Sequence, residues 1–107
     1  MFKSQYILII LFIIQSSYIY AAETYIYGDV YDISSIEAGL LIRIKGNEVP
    51  TKCQNPGGWG WMLIPEENKT MISVALAMFT QGKMGATIYT KNTGASFCKV
   101  IQYDPVN

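Results

Sequence analysis

Residues 1 to 22 begin with one cation, Lys3, and run through nine consecutive apolar residues from Tyr6 to Ile14. They turn polar at Gln15, Ser16 and Ser17 and end in Ala21 and Ala22. That order is expected of a secretory signal peptide. A membrane anchor would need about 20 apolar residues in a row. No cysteine lies near a cut after Ala21 or Ala22, which argues against a lipid anchor. Removing 22 of the 107 residues leaves 85, expected to form one binding domain over residues 23–107, secreted or periplasmic. A chain of that size builds a thin core and commonly leans on a disulfide or on oligomerisation.

Charge narrows the partners. With Lys3 gone, seven basic residues face eight acidic ones, and no basic stripe interrupts the sequence. Nucleic acid and anionic membrane are therefore not the expected partners. Histidine is absent, which removes the default proton shuttle and the commonest metal ligand. Cys53 and Cys98 are the only cysteines. In an oxidising compartment they are expected to pair, a closure worth about 3 to 4 kcal/mol in the chain-entropy model. A catalytic thiolate would lack a histidine to activate it.

The rest of the chain reads as strands around one helix. Thr24 to Ile33 is aromatic and β-branched, with Tyr25, Tyr27, Tyr31 and Ile33 on one parity and a bulge or bend expected at Gly28. After a turn over residues 34–39, Leu40, Ile42 and Ile44 alternate with Leu41, Arg43 and Lys45. Val49 to Cys53 is a short edge-strand candidate, followed by a loop over residues 54–58 and a strand from Trp59 to Ile64. Asn68 is placed to cap a helix from about Lys69 to Gln81, closed by Gly82 and Lys83, with Met71, Val74, Ala75, Met78 and Phe79 as its buried stripe. Ala86 to Lys91 and Ser96 to Tyr103 supply the closing strands. The fold class expected is mainly β with one helix, a five- or six-stranded OB-like Greek-key barrel.

The wording of the C-terminal half carries a resemblance. Val49-Pro50-Thr51-Lys52-Cys53, a Trp in the next segment, Ser73 to Lys83 across the helix end, and Phe97-Cys98-Lys99-Val100 together resemble the cell-binding B subunits of AB5 toxins. The likeness is to the subtilase-cytotoxin and pertussis-like branch and spans about residues 25 to 103. It implies an OB fold, a homo-oligomeric ring (a pentamer) with helices lining the channel, binding of a host or cell-surface glycan, and a catalytic A subunit as a further partner. Ser73, Ala77, Thr80 and Gln81 would then face the channel, and Ile72 and Leu76 would face neighbours or core.

Several residues suit carbohydrate. Trp59 and Trp61 lie among Gly57, Gly58 and Gly60. Indole faces stack on sugar rings, and glycines permit close approach. At least one of the two is expected in the core, Trp61 before Trp59. Tyr25, Tyr27 and Tyr31 near Asp29, Asp32 and Ser34 combine flat rings with hydrogen-bonding groups, and Trp59, Tyr27, Tyr31, Asp32 and Ser34 are the glycan-binding candidates. Glu66 and Glu67 fit a solvated helix start better than a glycosidase pair. Asn68-Lys69-Thr70 matches a glycosylation acceptor, which applies to a eukaryotic source only. Two functional classes stay open. One is a non-catalytic glycan-binding module without cofactor or metal, and the other is a small inhibitor or accessory protein that docks on another protein.

Overall fold

A computed structural model describes residues 24–106, so the expected signal segment lies outside the described residues. Five strands and one helix follow in the order β1 (Thr24–Ile36), β2 (Gly39–Ile44), β3 (Met62–Pro65), α1 (Lys69–Thr80), β4 (Gly85–Lys91) and β5 (Lys99–Pro105). Hydrogen-bonded neighbours run β1-β2-β3-β5-β4, and β4 returns to β1. Among the described residues no helix is long and apolar enough to cross a membrane.

The expected OB-like Greek-key barrel of five or six strands is corrected on two counts. Val49 to Cys53 is not a strand. Pro50 has no N–H to offer a ladder, and its carbonyl accepts the Cys53 N–H at 2.9 Å in a tight turn. The second count is the wall itself, which is not uniformly paired. Four seams are antiparallel ladders, but β3 meets β5 in parallel through the single pair Leu63 and Lys99, with the Leu63 N–H on the Cys98 carbonyl at 3.0 Å. β3 is only four residues long and ends at Pro65, which has no N–H to extend a ladder.

Apolar alternation builds the interior. Ile42, Met62, Ile64, Ile88 and Val100 are completely buried, and each contributes about 1.5 to 3 kcal/mol by leaving water. Ile26, Met71, Ile72, Val74, Met78 and Phe79 pack around this centre, which places α1 against it along the expected stripe. The helix ends as its sequence suggests. Gly82, at φ +74°, donates to the Phe79 carbonyl and Lys83 to that of Met78, the two bonds of a Schellman closure. Its start differs from expectation, because the Asn68 side chain makes no capping hydrogen bond.

Two register shifts break the parity seen in the sequence. Val30 pairs with Ile44 and Asp32 with Arg43, which leaves Tyr31 as an extra residue in β1. Likewise Tyr89 pairs with Gln102 and Thr90 with Val100, leaving Ile101 extra in β5. The bulge expected at Gly28 thus lies three residues later. Gly28 serves instead as a gap for Ile44, whose Cδ1 would stand 2.7 Å from a Cβ at that position. The shift in β5 turns Tyr103 inward, where it is 7% exposed, and burial raises the pKa of its phenol.

Candidate functional site

The bulge in β1 assembles the most elaborate surface of the molecule. An extra residue lets two successive side chains face the same way, so Tyr31 and Asp32 both point outward beside Arg43 of β2. The Arg43 Nε and Nη2 both donate to Asp32 Oδ2, at 3.0 and 2.7 Å, and Nη1 donates to the Trp59 carbonyl at 3.2 Å. Its guanidinium lies 4.3 Å from the Trp61 ring centre and 5.2 Å from that of Tyr31. Arginine suits this place because a planar cation can stack and donate at once.

The loop between β2 and β3 is fixed at several points. Tyr31 donates its hydroxyl hydrogen to Asn47 Oδ1. The Gly60 N–H donates to Asn55 Oδ1 at 2.7 Å, and Asn55 Nδ2 donates to the Asn47 carbonyl at 3.3 Å. Gly60 is required there: its φ is +83°, and a Cβ would stand 2.6 Å from the Asn47 Cα. The Cys53–Cys98 disulfide, with Cα atoms 5.3 Å apart, ties the loop to the start of β5. Trp59 emerges from this frame 63% exposed.

Of the five glycan-binding candidates, Tyr31 and Asp32 therefore meet at Arg43, and Trp59 joins them only through its backbone carbonyl, its exposed ring lying beside Pro56, Gly57 and Phe97. Tyr27 does not join them; it is exposed on β1 opposite Thr87, near the exposed Tyr25 that packs on Tyr89 at 5.7 Å. Ser34 is also elsewhere. It lies in β1 and not in a turn, and it lines a groove of about 730 Å³ with Ile36, Leu40, Ile72 and Leu76. Neither tryptophan enters the core. Trp61 is half-buried beneath Arg43, and Met62 and Ile64 fill the interior that Trp61 was expected to occupy. Arg43 and Asn47 were not singled out in the sequence. Arg43 could have been suspected as the cation on the solvent side of an otherwise apolar strand.

On α1, Ser73, Leu76 and Thr80 are exposed, and Ile72 and Ala77 are half-buried. The Thr80 hydroxyl donates to the Ala77 carbonyl at 3.0 Å. Among the described residues no group of three or more histidine, cysteine, aspartate or glutamate side chains could hold a metal ion. What remains is a pair of rings, Tyr31 and Trp61, about the Arg43 cation, with the exposed Trp59 ring on the adjoining loop. No family model matches the chain, and no curated protein or solved structure matches it, so the likeness to toxin B subunits finds no support there.

Proposed function

We propose that this chain is a non-catalytic carbohydrate-binding module that takes a sugar on the exposed Trp59 ring beside Pro56, Gly57 and Phe97, next to the Arg43 cluster of Tyr31 and Trp61. The observation that carries this reading is the exposed Trp59 ring, held in a loop fixed by a disulfide and side-chain hydrogen bonds. An indole immobilised before binding loses little freedom when a ring stacks on it. Asp32 and Asn47, at the edge of the same surface, offer the acceptors and donors that sugar hydroxyls need.

A glycan array probed with the oxidised protein, followed by calorimetry on the best ligand, tests this reading. Trp59→Ala should weaken binding about ten-fold, the effect of losing one stacked ring, with the far-ultraviolet circular dichroism and the urea midpoint retained. An array without a single bound glycan, or an unchanged affinity in the Trp59→Ala protein, would overturn it.

A further inference from the structure

One row of paired residues crosses the β3–β5 seam, from buried Leu41 to exposed Lys91. Leu41 pairs with Leu63, Leu63 with Lys99, and Lys99 with Lys91. Two lysines thus stand directly opposite each other on adjacent strands, Lys91 exposed and Lys99 half-buried. Like charges in that relation repel. The backbone of Lys52 is tied to the same end of the sheet, because Asn92 Nδ2 donates to the Lys52 carbonyl at 2.9 Å and the disulfide joins Cys53 to Cys98. Among the described residues the ion pairs are Arg43 with Asp32 and Lys45 with Asp29, and neither includes these three lysines. Immediately next to them, Phe97 joins Pro56, Gly57 and Trp59 around an apolar pocket of about 240 Å³.

We propose that Lys52, Lys91 and Lys99 form an anionic subsite continuous with the Trp59 surface, so that the preferred ligand is an acidic saccharide bearing sulfate or carboxylate groups. The inference rests on the carbohydrate reading above. A bound anion would relieve the repulsion between Lys91 and Lys99 while the sugar ring occupies the aromatic pocket. Repulsion maintained in the free protein is what gives an anion a stronger hold than scattered lysines would.

The test compares a heparin-derived tetrasaccharide with its desulfated counterpart, using the oxidised chain over residues 23–107 at low and high salt. The sulfated sugar should bind at least ten-fold more tightly, with the advantage shrinking as salt rises. Lys91→Gln and Lys99→Gln should each weaken it about two- to five-fold and leave the desulfated sugar unaffected. Equal binding of the two sugars, indifference to the lysine variants, or equally tight binding of a single-stranded DNA oligonucleotide would overturn the proposal. Trp59→Ala separates it from the reading on which it rests. Undiminished binding of the sulfated sugar in that variant would remove the Trp59 surface and keep the lysine subsite, whereas neutral glycans bound with no gain from sulfation would do the reverse.

Discussion

A guanidinium between two rings and a carboxylate is replaceable only by another planar cation. Arg43→Ala should lower stability by about 1 to 2 kcal/mol, the combined worth of a partly exposed ion pair and a ring contact. Arg43→Lys should recover little of it, since an ammonium cannot donate in a fork and stack at once. Urea denaturation followed by tryptophan fluorescence measures both, with Trp61 as the reporter beneath the cation. Tyr103 couples folding to alkaline pH. Its phenol has a raised pKa in the folded protein because burial disfavours the anion. The neutral form is therefore favoured by folding, and its contribution is intact below the unfolded value of about 10 and fades as pH rises through the folded one. Stability should fall above about pH 10, and Tyr103→Phe should flatten that fall. Absorbance titration of the phenolates, set beside urea midpoints across the same pH range, would show it.

Elements were legible where their periodicity was unbroken. The helix at Lys69–Thr80, its Gly82 closure, and the strands at Gly39–Ile44 and Gly85–Lys91 all lie close to their sequence signals, because a 3.6-residue stripe or a period-two alternation survives along their length. The two bulged strands were less readable. Nothing in the local residues marks Tyr31 or Ile101 as extra, since a bulge is fixed by the partner strand and the space behind it. Reading straight through Tyr31 put it on one face with Tyr25, Tyr27 and Ile33, which hid its convergence with Asp32 and Arg43. Trp61 was misjudged for a related reason. Its size suggested burial, but alternation across Met62 and Ile64 places the smaller residues inside and the indole out.

At the scale of the whole molecule, the single-pair seam between β3 and β5 depends on the disulfide beside it. Leu63 donates to the carbonyl of Cys98 itself, so the covalent link holds the acceptor in place. Cys53→Ser together with Cys98→Ser should lose up to about 4 kcal/mol for a loop of this separation, 45 residues. In the same variant the Leu63 amide should exchange its hydrogen sooner than amides of the β1–β2 ladder. Hydrogen exchange by NMR distinguishes this from uniform loosening, in which both would speed up together.

Tyr31 itself has an implication for how such a molecule can vary. Because it is the supernumerary residue, a β1 shortened by that one position would still send Val30 and Ile33 inward and Asp32 outward. Decoration of the exterior is decoupled from composition of the interior at that point. A lineage could gain or shed the ring over Arg43 by a one-codon change, and the buried half of the domain would not register the edit.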